Sequence, residues 1–167
     1  MSSGSLGQGI SVATGMALSA KLSNDSYRVY TLLGDGEIAE GQVWEAAQFA
    51  GHKNLDNLVV IVDNNNLQID GRVDQVMSVY PIREKLEAFG FFVQEIDAHS
   101  FEDMETAFAW ARQEKGRPSA IVMKSVKGKG VSFMENKAEW HGKATNAQEY
   151  EIAMAELDAA LKELEAK

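Results

Sequence analysis

Two short polar segments, each placed directly after an apolar run, carry the residues best suited to chemistry. The first, "GDG", puts Asp35 between two glycines after the run Tyr27–Leu33. The second, "DNNN", begins at Asp63, at the end of a run that starts at Asn57. Glycine backbone can approach an oxyanion closely, but a carboxylate repels that anion unless a cation lies between them. The first segment therefore predicts a divalent cation that bridges Asp35 to a phosphate.

The second segment supplies ligands of the kind that such a cation needs. Mg²⁺ takes about six oxygens and usually keeps phosphate and water among them, so that the protein supplies about two or three. Asp35 can give a carboxylate oxygen, Asn65 an amide oxygen, and the following turn a backbone carbonyl. A lone "GDG" also occurs as an ordinary tight turn. The pairing of the two segments is therefore the stronger signal.

Alternating strand and helix patterns position these segments. The runs Tyr27–Leu33 and Asn57–Asp63, followed later by "FFVQEI" and "SAIVMKSV", are short, apolar and rich in β-branched or aromatic residues, which predicts four buried strands. Helical patterns separate them, so we predict an α/β fold in which helices flank a parallel β-sheet. In such sheets ligands bind beyond the carboxyl ends of the strands, where "GDG" and "DNNN" both fall.

Glycines and capping residues set the expected helix boundaries. A helix is predicted over Ile10–Leu22, where Gly15 suggests the close approach of another element, and a second helix is predicted to stop at Gly51. Two further helices open at Pro81 and at Ser100. The last helix, over residues 145–165, is expected to be capped by Thr145 and Gln148 and to pack its Leu and Met stripe in the ordinary way.

Length and composition limit the class of protein. The 167 residues, 45% hydrophobic and 25% charged, predict one soluble domain over residues 1–167. The net charge of −9 disfavours a nucleic acid or an anionic membrane as a partner. The chain contains no cysteine, which excludes disulfides and thiolate metal sites and suits a reducing cytoplasm. We see neither a signal peptide nor an apolar run long enough to span a membrane.

Longer motifs around the two segments resemble a known family. The segments "GSLGQGISVATGMALSAKL", "GDGEIAEGQVWEAAQFAGHKNLDNL" and "DNNNLQIDG" are similar to the diphosphate-binding domain of transketolase, and the likeness runs from Gly4 to about Gly142. The resemblance implies that the cofactors are thiamine diphosphate and Mg²⁺, or another divalent cation such as Ca²⁺ or Mn²⁺. It also implies transfer of a two-carbon ketol unit from a ketose phosphate to an aldose phosphate.

The resemblance assigns ligand roles to matching positions. It implies that Asp35 and Asn65 bind the metal by their side chains and that Leu67 binds it by its carbonyl. The residues implied to contact the cofactor are Gly4, Ser5, Leu6, Gly36, Asn65 and His141.

Two positions carry an implied catalytic role. His141, in "WHG", would approach the diphosphate and the substrate, and Glu40 would join a carboxylate network that links paired active sites. Without the family, His141 could be an ordinary loop histidine. Glu40 could be an ordinary acid at a helix start, where the helix dipole favours negative charge.

The sequence also departs from the family pattern. The family has a strand and several substrate-contacting histidines before "GSLGQG", and it has a pyrimidine-binding domain that this sequence lacks. We expect the chain to be inactive alone and to work in a homo- or hetero-oligomer with a pyrimidine-binding transketolase chain. It could be a truncated product, an engineered fragment or one half of a naturally split enzyme. The alternatives are a non-catalytic cofactor-binding or assembly module, and a subunit of a sister enzyme such as dihydroxyacetone synthase or deoxyxylulose phosphate synthase.

Overall fold

Four parallel strands form the central sheet in the computed structural model, which describes residues 4–166. Its strand order is β1-β2-β6-β5, and a small antiparallel hairpin, β3-β4, follows β2. The strands are β1 (Val29–Gly34), β2 (Leu58–Asn64), β3 (Leu67–Gln68), β4 (Gly71–Arg72), β5 (Phe92–Asp97) and β6 (Ser119–Lys124). The helices are α1 (Gly9–Ser23), α2 (Gly41–His52), α3 (Val73–Val76), α4 (Ile82–Ala88), α5 (Phe101–Gln113) and α6 (Ala147–Glu165). The predicted α/β class is confirmed.

Helices cover both faces of the sheet, which explains why its central strands are almost continuously apolar. Along β2, Val60 and Val62 join the larger core beneath α1, α2 and α4. On the opposite face, Val59 packs with Ala107 and Ala111 of α5. Residues buried on alternate faces of one strand must all be apolar. The sheet therefore brings the carboxyl ends of β1, β2 and β6 to one side of the molecule.

The outer edge of β1 exposes apolar side chains. Within residues 4–166, β1 has β2 as its hydrogen-bonded neighbour. Tyr30 and Leu32 are 46% and 66% exposed on one side of this edge, and Val12 and Met16 of α1 are also exposed. Several apolar side chains grouped on one edge are typical of a contact surface.

Two glycines in helices have roles opposite to those expected. Gly15 has open space where a Cβ would lie, so it does not mark a close approach. Gly51 lies inside α2, which ends at His52, so it does not stop the helix. A Cβ at Gly51 would lie 1.8 Å from the carbonyl oxygen of Phe89, at the end of α4. The close helix contact is therefore at Gly51.

The cap and the packing of α6 also differ from expectation. Asn146 and Glu149 form a reciprocal capping box in place of Thr145 and Gln148. The Asn146 N–H donates to the Glu149 carboxylate at 2.8 Å, and the Glu149 N–H donates to the Asn146 amide oxygen at 2.9 Å. Ala153 is the buried residue of this helix. The stripe expected to pack is exposed at all five of its positions, namely Tyr150, Met154, Leu157, Leu161 and Leu164. Within residues 4–166, neither this helix nor any other has the length and apolar character needed to cross a bilayer.

Asp56 connects several elements at the end of the sheet opposite "GDG". Its carboxylate lies 2.6 Å from the Lys21 ammonium and accepts the Gly116 N–H at 3.0 Å, while its carbonyl accepts from Arg28 at 2.8 Å. Burial acts to raise the pKa of Asp56, but the Gly116 N–H and Lys21 together lower it below its ordinary value. Asp56 therefore stabilises the fold in its charged form.

We expect Asp56→Asn to lower the free energy of unfolding by about 1 to 2 kcal/mol at neutral pH, because a neutral amide loses the ion pair with Lys21 and accepts the Gly116 N–H more weakly. The folded-state pKa is depressed, so this stabilisation is fully present above the ordinary value of 3.8 and is lost as the pH falls through the folded value. Urea unfolding of both proteins should show the difference narrowing in acid. Asp158→Asn, an exposed change on α6, is the control, and a difference that stays constant with pH would contradict the electrostatic role.

Candidate functional site

The parallel pairing of β1 with β2 brings the two polar segments side by side. Gly34 pairs with Asp63 across the strands, and the Asp35 N–H donates to the Asp63 carbonyl at 3.1 Å. Asp35 and Asn65 therefore follow adjacent strand ends. The sequence predicts that these two residues follow neighbouring strands, and the structure shows this arrangement.

Asp35 is a buried acid at the centre of this region, with a residue exposure of 1%. Its carboxylate accepts the N–H of Gly36 at 2.8 Å and the N–H of Asn66. Burial raises the pKa of Asp35 above its ordinary value, the backbone N–H groups act in the opposite direction, and the charge of Asp63 raises it further. A cation bound at Asp35 would offset the cost of burying this charge. This carboxylate therefore fits a metal-binding role.

Asn65 lies in the turn that leads into the β3-β4 hairpin, and Leu67 is the first residue of β3. The amide oxygen of Asn65 accepts the Leu67 N–H at 2.9 Å. That oxygen has a second lone pair, and the Leu67 carbonyl is a further hard donor. Together with Asp35 they offer carboxylate, amide and carbonyl oxygens, the donor set that suits Mg²⁺. Residues 4–166 contain no cluster of three or more His, Asp or Glu side chains that could hold a metal without such neutral ligands.

Gly36, in the first segment, packs directly against Gln68 of the hairpin. A Cβ at Gly36 would lie 2.9 Å from the Cβ of Gln68, closer than Cβ atoms approach in practice. The φ of Gly36 is −64°, which any residue can adopt, so the contact with Gln68 rather than the backbone angle requires glycine here. The sequence identified this glycine but not its neighbour.

Further polar contacts hold the turn after β2 in place. Asn66 has a φ of +58°, its side-chain oxygen accepts the Asp74 N–H at 3.1 Å, and its amide donates to the Asp74 carboxylate at 3.1 Å. Arg72 pairs with the same carboxylate at 2.7 Å. Asn64 accepts a hydrogen bond from the Tyr80 hydroxyl at 2.7 Å. The sequence predicts Asn65 as the amide ligand but gives no sign that Asn66 supports the turn.

The loop that contains Gly4, Ser5 and Leu6 comes to the same end of β1. Ser5 and Leu6 line a cavity of 780 Å³ together with Gly34 and Asp63, while Gly4 precedes them as an exposed residue. Glu37 connects this loop to β1, because its carboxylate accepts N–H groups from both. No sequence pattern singled out Glu37.

His141 and Glu40 lie at the margins of this region and are both exposed. His141 ends the 3₁₀ turn Ala138–His141, which lies beside β3. Trp140 anchors that turn, because its indole N–H donates to the Phe133 carbonyl at 3.1 Å. Glu40 is the N-cap residue of α2, one position before the helix begins. The structure brings both residues near the site without assigning a reaction to either.

The comparisons with known proteins agree on one family. The sequence matches the family model described as "Transketolase, thiamine diphosphate binding domain" over residues 1–162. It is 42% identical over 158 residues to the 6-deoxy-6-sulfo-D-fructose transketolase subunit SqwG of Clostridium sp. (strain MSTE9), a match that covers 95% of this chain and 58% of that protein. It is 40% identical over 165 residues to one of the subunits of the apulose-4-phosphate transketolase of Phocaeicola vulgatus, with coverages of 99% and 59%.

A solved structure gives the same result for the fold. The transketolase of Campylobacter jejuni superposes with a TM-score of 0.86 at 32% identity, covering 90% of this chain and 25% of that one. The chain thus spans under two thirds of the length of the two subunits and a quarter of this enzyme. Because the family model matches nearly the whole sequence, the chain belongs to the transketolase family and contains its thiamine diphosphate-binding domain.

Proposed function

We propose that this chain binds Mg²⁺ and the diphosphate of thiamine diphosphate as one part of a transketolase. The observation that carries the proposal is the buried Asp35 carboxylate, placed one strand away from Asn65. A desolvated acid beside a second acid, Asp63, is costly unless a cation binds there. A doubly charged diphosphate would in turn be attracted to that cation.

Each residue has a defined part in this proposal. Asp35 and Asn65 hold the metal by their side chains and Leu67 holds it by its carbonyl, while Gly36 and Asn65 also contact the diphosphate. When bound, thiamine diphosphate supplies the chemistry that carries a two-carbon ketol unit. Gly4, Ser5 and Leu6 line the cofactor, as the resemblance to the family implies.

His141 and Glu40 complete the proposed site. An exposed histidine beside β3 can donate a hydrogen bond to an anionic substrate or to the diphosphate. Glu40 is exposed next to the Gly4–Gly7 loop, where a carboxylate could reach groups on another chain. We therefore assign His141 to substrate contact and Glu40 to communication between subunits.

A partner chain is the second part of the proposal. The two relatives are named as subunits of transketolases, and this chain has a length of under two thirds of each. The exposed apolar side chains along the β1 edge, among them Tyr30 and Leu32, support association with another chain. We propose that the partner supplies the pyrimidine-binding domain and that the chain alone does not catalyse transfer.

The substrates are proposed to be sugar phosphates, with a ketose phosphate as donor and an aldose phosphate as acceptor. The names of the relatives include apulose 4-phosphate and a sulfo-sugar, 6-deoxy-6-sulfo-D-fructose. Both are anionic sugars, so an anionic end is the feature shared with xylulose 5-phosphate. The ketose donors tested should therefore include derivatives of all three kinds, namely apulose 4-phosphate, 6-deoxy-6-sulfo-D-fructose and xylulose 5-phosphate.

Reconstitution tests the proposal. The tagged chain is purified from its source cells, a co-purifying chain is identified by mass spectrometry, and the two are mixed with Mg²⁺ and thiamine diphosphate. We expect ketol transfer from xylulose 5-phosphate or one of the other donors to ribose 5-phosphate, and we expect none from either chain alone. Product sugars are measured by chromatography.

The outcomes separate the alternatives. Magnesium-dependent binding of thiamine diphosphate without transfer in any reconstitution would favour a non-catalytic cofactor-binding module. Transfer to acceptors other than ribose 5-phosphate would favour a sister activity. Absence of both cofactor binding and transfer from the reconstituted pair would contradict the proposed function.

A further inference from the structure

Glu37 joins two segments that are distant in the sequence. It begins the 3₁₀ turn Glu37–Ala39, directly after "GDG". One carboxylate oxygen accepts the N–H of Gly7 at 2.8 Å, and the other accepts the N–H of Gly34 at 3.0 Å. A single side chain therefore ties the loop before α1 to the last residue of β1.

The loop residue that Glu37 contacts is itself closely fitted. Gly7 is buried and has a φ of +83°, a conformation that favours glycine. A Cβ at Gly7 would lie 2.8 Å from the Cβ of Glu40. Gly7 thus donates a hydrogen bond to Glu37 and packs against Glu40. These two contacts define where the loop Gly4–Gly7 lies relative to β1.

We propose that Glu37 is a positioning residue of the cofactor site, which holds the loop Gly4–Gly7 against the Gly34–Asp35–Gly36 turn. The inference rests on the proposed function, because these two segments are the walls between which the cofactor would bind. Glu37 accepts one backbone N–H from each of the two segments, at 2.8 and 3.0 Å, and this bridge is the observation that assigns it to positioning. A displaced loop would separate Ser5 and Leu6 from the diphosphate site.

The variant Glu37→Gln distinguishes a residue that positions the loop from one that acts only through its negative charge. Its amide oxygen can accept one of the two N–H groups, but its NH₂ group donates and cannot accept the other. If Glu37 acted only as a negative charge near a diphosphate, removing that charge would tighten binding. Positioning requires the opposite direction, which is weaker binding, with a larger loss in Glu37→Ala.

Hydrogen exchange of the chain without cofactor tests the contact itself. We expect the Gly7 amide to exchange about tenfold faster in Glu37→Gln or Glu37→Ala than in the wild type, since its acceptor is weakened or removed. Glu45→Gln, which makes the same substitution at an exposed site on α2, should leave Gly7 exchange unchanged. Unchanged Gly7 exchange in both Glu37 variants would overturn the inference, whether or not the cofactor binds.

Calorimetry with thiamine diphosphate and Mg²⁺ tests the consequence. We expect about tenfold weaker binding in Glu37→Ala and a smaller loss in Glu37→Gln, with Glu45→Gln equal to the wild type. Tighter or equal binding in Glu37→Gln and Glu37→Ala would overturn the positioning role even if Gly7 exchange is faster. Thermal melting confirms that all variants are folded. A wild-type protein that protects Gly7 but does not bind the cofactor, alone or with its co-purifying chain, would overturn the proposed function and, with it, this role.

Discussion

Asp35→Ala is expected to reduce the affinity for thiamine diphosphate in the presence of Mg²⁺ by at least about 100-fold. Loss of a residue that merely supports a metal ligand typically costs about 10- to 100-fold in metal affinity, and Asp35 is proposed to be a ligand itself. Its carboxylate is the one charged donor of the proposed set, and it is buried at the end of β1. Calorimetry at fixed Mg²⁺ concentration measures the change.

Thermal melting gives an independent reading of the same change. A ligand that binds only the folded state stabilises it by about 2.7 kcal/mol at a concentration of 100 times Kd. The wild type should therefore melt at a higher temperature with Mg²⁺ and thiamine diphosphate than without them, and Asp35→Ala should show a much smaller rise, since a ligand at its own Kd stabilises by only about 0.4 kcal/mol. Melting without ligand establishes that the variant is folded.

Asp25→Ala is the matched control for this prediction. Asp25 is an exposed aspartate that precedes β1, whereas Asp35 follows it, so the same chemical change is made at the opposite end of one strand. We expect its affinity to equal that of the wild type. Equal affinity in Asp35→Ala and Asp25→Ala would contradict the ligand assignment for Asp35.

The parts of the fold that the sequence predicts are those set by burial. The run Asn57–Asp63 predicts a strand, and the structure has β2 at Leu58–Asn64, because a strand covered on both faces must be apolar at every position. The hairpin β3-β4 and the short α3 were not predicted. These elements are only two and four residues long, which is too short to show a hydrophobic period.

The candidate site was predictable where it depends on strand ends and unpredictable where it depends on long-range contacts. Asp35 and Asn65 follow apolar runs, and parallel strands bring such ends together. Glu37 could not be found in the same way, since its acceptor role involves the backbone N–H of Gly7, 30 positions earlier. Backbone donors carry no residue-specific signal in a sequence. Metal binding by Asp35, Asn65 and Leu67 stays a prediction until a cofactor-bound form is measured.

Gly51→Ala is expected to destabilise the fold by about 3 kcal/mol or more, the upper range for forcing extra atoms into a packed site. The new Cβ would lie 1.8 Å from the Phe89 carbonyl oxygen and 3.0 Å from its carbon. Both are backbone atoms at the end of α4, so α2 and α4 must move apart, which also disturbs the contact between the Trp44 and Phe89 rings, now 6.2 Å apart. Urea unfolding monitored by tryptophan fluorescence measures the loss.

Gly15→Ala provides the matched control, because both glycines lie within helices and only their surroundings differ. A Cβ at Gly15 meets open space, and alanine favours a helix by about 1 kcal/mol over glycine. We therefore expect Gly15→Ala to be neutral or stabilising in the same assay. Helix propensity alone would stabilise both variants, so a loss confined to Gly51→Ala would show that the contact with Phe89 outweighs propensity. Equal stabilisation by both substitutions would mean that α2 and α4 do not approach each other this closely.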